Sequence, residues 1–239
     1  MGKPTMDKHR RMLGRLIKVS AVALGAGLVV TGCSPVKMGA AAIVGDQRIT
    51  IATLDTQVTN LRQAANRYPG TVQLSQAQQT QETLTWLVRF QINEELARQA
   101  GLTVSTAQAE QALAQIYAAA KANAEAQGLS NVTLDLILTA NGIPPDLSAE
   151  VGRYQAINDE FVRQANGGTL PTSTSAQSAA TAKLQRAQCV AAKSLQIEIN
   201  PQYGQMNYAQ YQVISAPGTV FRPEGPAKTA SVSGLTPAC

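Results

Sequence analysis

Histidine is nearly missing from this chain. Among 239 residues the only one is His9. From residue 33 onward there is none, which excludes Ser-His-Asp and Cys-His nucleophile pairs, histidine general bases and histidine metal ligands from that stretch. Cysteine is scarce as well. Cys33, Cys189 and Cys239 stand far apart, so no CxxC redox or zinc pair exists. Charged residues make up only 15% and aromatics 4%. The formal net charge of +5 is confined to the first eighteen residues, where Lys3, Lys8, Arg10, Arg11, Arg15 and Lys18 face a single Asp7. The rest carries fourteen basic and fourteen acidic side chains. That balance removes the electrostatic footprint of a nucleic-acid binder, and nucleic acid is not an expected partner. Nothing in this inventory points to a reaction, so an enzyme is not expected, nor a cofactor or metal. The hydrophobic share of 44% is enough for a packed core.

Long hydrophobic runs are also lacking. The longest mostly apolar stretch, Leu16 to Val30, broken only by Lys18, Ser20 and small glycines, has 15 residues, shorter than the roughly 20 of a spanning helix and suited to the h-region of a secretory signal. It follows the basic head and ends in Val30-Thr31-Gly32-Cys33. This aliphatic, small, small, cysteine order resembles the lipobox of bacterial lipoproteins. The resemblance implies that residues 1–32 are a signal peptide, that Cys33 is the lipidation site, and that 33–40 tether the chain to the outer side of the cell membrane. Acyl chains in pairs would hold it there far better than one. The alternatives are an uncleaved anchor, or an ordinary secretory signal with a chance cysteine.

Beyond the tether the period of the hydrophobic pattern changes. Ala41 to Ile51 has β-branched runs around Gly45-Asp46 and predicts a small hairpin. Leu54, Val58, Leu61 and Ala65 predict a helix ending at Tyr68-Pro69-Gly70. Ser75 with Gln78 forms a capping box for a second helix, to about Ala100, with Leu84, Leu87, Val88, Ile92 and Leu96 buried and Gly101 closing it. Ser105 with Gln108 opens a third, expected to bury Ala109, Leu113, Ile116 and Ala120. A short fourth helix holds Leu134, Ile137 and Leu138. A fifth runs from near Asp146 to Gly167-Gly168. The linker Gly167 to Ser175 leads to a sixth helix, about 176–194, and a strand over Leu195 to Asn200. Residues 201–239 are expected to be an irregular tail, apart from a strand at Tyr211 to Ile214.

The stretch Ile92-Asn93-Glu94-Glu95-Leu96-Ala97-Arg98-Gln99-Ala100-Gly101-Leu102-Thr103-Val104-Ser105, placed after a lipobox, a small hairpin and a helix with Gln57-Val58, resembles the N-terminal domain of SurA/PrsA-type extracytoplasmic chaperones. The resemblance covers residues 41–166. The late helix and the Ile197–Ile199 strand resemble the family's C-terminal return segment, which packs against the hairpin. The fold implied is mainly α: a SurA N-terminal-like helical domain over 41–200, with a small β-hairpin joined by a C-terminal strand. Larger family members carry a parvulin prolyl-isomerase domain between the fifth and sixth helices. This chain has nine linker residues there, and parvulin sites use histidines, so isomerase activity is not expected.

The function implied is a chaperone-like hold on unfolded or partly folded client proteins. The alternative is a non-catalytic subunit docking to one cell-envelope partner. Trp86, Phe90, Tyr117, Tyr154 and Phe161 are the candidate peptide-binding residues, with core packing as the competing reading of each. Glu94-Glu95 reads as a solvated face, with Glu94 and Arg98 an i,i+4 pair. With Cys33 lipidated, Cys189 and Cys239 are disulfide candidates. Two free thiols, or a crosslink to a partner through Cys239, are the alternatives. Asn131-Val132-Thr133 fits a glycosylation sequon, read as a coincidence near a helix start.

Overall fold

A computed structural model of the chain describes residues 38–70 and 74–215. The expectations for the signal peptide, the lipobox and Cys33, and for the tail from 216 to Cys239, lie outside the described residues.

The hairpin forms as expected. Strand β1 (Ala40–Val44) pairs antiparallel with β2 (Gln47–Thr50), with Ile43 opposite Arg48 and Val44 opposite Gln47. Gly45-Asp46 turn between them, and the Gly45 amide donates to the Leu195 carbonyl at 2.6 Å. Thr50 ends β2 and at once N-caps helix α1 (Ile51–Arg67), accepting from the Thr53 amide. Leu54, Val58 and Leu61 are buried on α1, with Ala64 in the place expected for Ala65.

Helix α2 (Gln76–Ala100) is the axis of the fold. The Ser75–Gln78 capping box is present and Gly101 closes the C-terminus. Its neighbours are β1, α1, α5 (Ser148–Ala165), α6 (Thr174–Ser194) and β5 (Gln212–Ile214). Surrounded in this way, it buries residues around most of its circumference. Leu84, Val88, Ile92 and Leu96 are buried as expected, Leu87 only partly, and Thr83, Thr85 and Asn93 are buried with them. Each fully buried aliphatic side chain contributes about 1.5–3 kcal/mol, so this helix anchors the main core.

Helix α3 (Thr106–Ala126) is different. It starts with the expected Ser105–Gln108 box, but only Ala112 is buried. Ala109, Leu113, Ile116 and Ala120 are partly buried, because α3 lies mainly against α5. The two helices approach closely at Gly152, where a Cβ would lie 2.5 Å from the Ala109 carbonyl oxygen and 3.0 Å from the Leu113 Cβ. Helix α4 (Leu134–Ala140) is capped by Thr133, which gives the sequon threonine a structural role. A 3-10 turn at Pro145–Leu147 leads into α5, two residues later than the expected start near Asp146.

Eight residues, 166–173, join α5 to α6, and Ser173 caps α6, which starts at Thr174, two residues before the expected start. After α6, β3 (Glu198–Ile199) pairs antiparallel with β1 and completes a sheet of order β2-β1-β3. The return segment is thus where the resemblance placed it, though the paired strand is only two residues long.

Beyond it the strand expected at Tyr211 to Ile214 is present, and the rest of the stretch to 215 corrects the expected irregular tail. Strand β4 (Gln205–Asn207) and β5 form a second antiparallel hairpin. Asn207 Oδ1 accepts the amides of Ala209 and Gln210 and shapes the turn. Gly204, at φ +128°, lets β4 start against the Ile214 carbonyl where any Cβ would collide. Tyr203, Met206, Tyr208, Tyr211 and Val213 pack on the main core. The Val213 amide donates to Thr85 Oγ1 at 3.0 Å, so a buried threonine of α2 holds the hairpin down.

Candidate functional site

Three of the five aromatic candidates meet where α2 crosses α5. Trp86 and Phe90, one turn apart on α2, have ring centroids 5.9 Å apart. Tyr154 of α5 stands edge-on to both, at 5.8 Å from Trp86 and 6.1 Å from Phe90. Such edge-to-face pairs add about 0.5–1.5 kcal/mol beyond area burial. Phe90 is 8% exposed and belongs to a second core cluster with Leu138, Ile143, Leu147 and Val151, whereas Trp86 and Tyr154 are only partly buried at its margin. The other two candidates stand apart. Phe161 packs against the main core. Tyr117 donates to the Val132 carbonyl at 3.0 Å and ties α3 to the loop before α4.

Arg89 completes the cluster. Its guanidinium carbon lies 5.0 Å from the Trp86 ring centroid, a cation–π contact. Its Nε donates to the Tyr211 carbonyl at 2.8 Å, with a longer Nη2 contact of 3.5 Å to Gln210. Burial pulls its pKa below the ordinary arginine value, against opposing contributions from Tyr154 and Glu82. Glu82, a further two turns back, is raised by burial in spite of Arg89. Beside Arg89 opens a cavity of about 220 Å³ lined by Arg89, Ile92, Tyr154, Gln188 and Tyr211.

A polar network lies under this surface. Asn93 is 1% exposed and donates through Nδ2 to the Tyr154 carbonyl at 2.8 Å. Gln188 of α6 shares its Nε2 among Asn93 Oδ1 at 3.1 Å, Asn158 Oδ1 at 3.2 Å and the Tyr154 hydroxyl at 3.4 Å. The network ties α2, α5 and α6 at one level and fixes the orientation of Tyr154. Sequence reasoning passed over Asn93, Asn158 and Gln188. Gln188 precedes Cys189, which was singled out only for its sulfur.

Glu94 and Glu95 are not the solvated pair expected. Glu94 reaches across to Arg153 of α5, with Oε2 2.8 Å from Nη2, and Arg153 also donates to the Val104 carbonyl. Glu95, not Glu94, pairs with Arg98, at 2.7 Å through Nε. It also accepts from Gln99 and from Ser194 of α6. The Arg98 hydrogen bond, joined by those of Gln99 and Ser194, holds the Glu95 carboxyl below the usual carboxylate range against the effect of burial.

Cys189 is 2% exposed and disulfide-bonded. Its expected partner Cys239 lies outside the described residues, as does the lipidation candidate Cys33. Among the described residues no group of histidine, cysteine and carboxylate side chains is arranged to hold a metal, and no helix is long and apolar enough to cross a membrane.

Comparison with known proteins adds one finding. A family model described as the SurA-like N-terminal domain matches residues 5–147, more than half of the chain. No curated protein and no solved structure matches.

Proposed function

Because the chain belongs to the family of the SurA-like N-terminal domain, a chaperone-type family, we propose that it holds unfolded or partly folded polypeptides at the α2–α5 crossing. The observation that carries this reading is the Trp86–Phe90–Tyr154 cluster. Its inner ring is buried, its two outer rings are partly exposed, and the outer ring of Tyr154 lines a cavity. Partly exposed aromatic rings offer large contact area at low entropic cost, which suits binding of apolar segments in chains of varied sequence. The near-zero charge beyond Cys33 supports apolar and backbone recognition over bulk electrostatic capture.

The same reading places the protein outside the cytoplasm, tethered by lipid at Cys33, and without prolyl isomerase activity. Its support is the basic head, short apolar run and Val30-Thr31-Gly32-Cys33 order, the eight residues between α5 and α6, and the lack of histidine beyond residue 33. A Cys189–Cys239 bridge fits that oxidising setting. Mass spectrometry of the membrane fraction tests the anchor: a diacylglyceryl adduct on a new N-terminal Cys33 is expected, and an unmodified Cys33 excludes it.

Light scattering of a chemically denatured client tests the function itself. The purified full chain at equimolar ratio is expected to suppress aggregation. Unchanged aggregation would remove the chaperone reading. Crosslinking in cells separates the alternative, since many clients are expected, whereas one dominant folded partner would identify a docking subunit.

A further inference from the structure

Four of the eight described arginines are ion-paired. Arg67 faces Asp135, Arg98 faces Glu95, Arg153 faces Glu94 and Arg163 faces Glu160. All four guanidiniums are substantially exposed, where a missing partner would cost little. Arg48, Arg62 and Arg186 make no ion pair among the described residues either, but they are exposed, and Arg89 is not. It is partly buried, where an unpaired charge is costly, yet it makes no ion pair among the described residues. Its described contacts are the carbonyls of Tyr211 and Gln210 and the face of Trp86, and Glu82 attracts it from a distance beyond an ion pair. Those contacts hold the guanidinium in place and leave N–H donors unused, since arginine has five.

The unused donors belong to a residue that lines the 220 Å³ cavity. Two other polar groups line the same space. The Tyr154 hydroxyl accepts from Gln188 Nε2 at 3.4 Å, and its own proton has no acceptor among the described residues. Gln188 is itself held by Asn93 and Asn158. A fixed, planar guanidinium with no ion pair, and a phenolic proton with no acceptor, among the described residues line one cavity with Ile92 and Tyr211, and together they are the donor set that a carboxylate requires.

We propose that this cavity is a carboxylate receptor, in which Arg89 and the Tyr154 hydroxyl take a carboxylate of a bound polypeptide, from a chain end or an acidic side chain. The inference deepens the client-binding reading by giving the aromatic face a polar anchor point. An apolar segment would lie on Trp86 while the carboxylate docks one turn along α2.

Trp86 is the only tryptophan of the chain and touches Arg89, so its fluorescence reports on the site directly. The probes are N-acetylglycine and its uncharged amide. Titration of the full chain is expected to give a saturable change with the carboxylate and none with the amide. Arg89→Gln is expected to weaken binding at least tenfold. Because Arg89 also holds the β4–β5 hairpin, Tyr154→Phe serves as the second variant. It keeps the ring and removes only the hydroxyl, with a two- to fivefold loss expected. Equal responses to acid and amide, or unchanged affinity in both variants, would overturn the proposal. Two peptides then name the source. One has a free C-terminus and no acidic side chain, and the other is amidated and carries one glutamate. The tighter binder identifies it, and no response to either overturns the proposal. Aggregation suppression without carboxylate binding removes this inference alone, whereas carboxylate binding without suppression removes the chaperone reading alone.

Discussion

Helices α2 and α3 have similar lengths and the same serine–glutamine capping box, yet they are held in opposite ways. Helix α2 is packed by helices and strands on most sides and carries buried threonines and an asparagine among its apolar residues. Helix α3 rests mainly on α5, and its one buried residue is Ala112. Local sequence therefore sets where both helices begin, whereas tertiary neighbours decide how much each contributes to stability. The hub around α2 supplies a rigid base for Trp86 and Tyr154. The arm formed by α3 rests on α5 through the close approach at Gly152 and the partly buried Leu113 and Ile116.

The sharpest way to break this comparison is Gly152→Val. The added carbon atoms collide with the Ala109 carbonyl and with Leu113, and a loss of about 3 kcal/mol is expected. Hydrogen exchange should locate it: amides of 106–126 lose protection, while those of β1 and α2 keep theirs. Equal loss in α2 would mean that hub and arm are one unit.

Next in size is Asn93→Ala, which strikes the hub from inside. It removes the hydrogen bond to the Tyr154 carbonyl and one of the three acceptors of Gln188 Nε2, and two such bonds contribute about 1–3 kcal/mol. Chemical denaturation should show a lower midpoint. Trp86 fluorescence should also shift, because Tyr154 loses its support.

A pH series sharpens the comparison further. The Glu95 carboxyl is held low chiefly by Arg98, so its contribution is present above the unfolded carboxylate value of about 4.3 and is lost as pH falls through the folded value. Glu82 acts with the opposite sign. Burial raises its carboxyl, so its cost is relieved as the medium becomes acidic. Glu95→Gln should therefore flatten the acid limb of the stability curve, and Glu82→Gln should steepen it. The smallest effect is expected for Glu94→Gln. It cuts a partly exposed ion pair to Arg153 and should cost under about 1 kcal/mol by thermal unfolding.

Much of the fold was legible because its signals are local. Both capping boxes, the Gly45-Asp46 hairpin and the helix stop at Gly101 depend on residues within one or two turns. The return strand was legible from alternation at Ile197 and Ile199. Of the second hairpin, β5 was legible at Tyr211 to Ile214, but β4 was not, because it has three residues and the hairpin owes its place to Thr85, far off in sequence. The pairing of Glu94 with Arg153 was missed for the same reason: spacing within one helix offered Arg98, whereas the crossing helix supplied a better partner. Of the candidate site, sequence reasoning found Trp86, Phe90 and Tyr154 as types of residue. It could not group them, or separate them from Tyr117 and Phe161, without the angle at which α2 meets α5. Arg89, Asn93 and Gln188 look like ordinary surface residues in a linear pattern, and only burial distinguishes them.

The central claim is that the α2–α5 aromatic face holds the client, and a pair of variants tests it most directly. Trp86→Ala and Tyr117→Ala each remove one aromatic ring, one inside the cluster and one outside. With both variants still unfolding cooperatively, suppression of client aggregation should fall severalfold in Trp86→Ala and stay at the wild-type level in Tyr117→Ala. Equal suppression by the two variants would contradict the account.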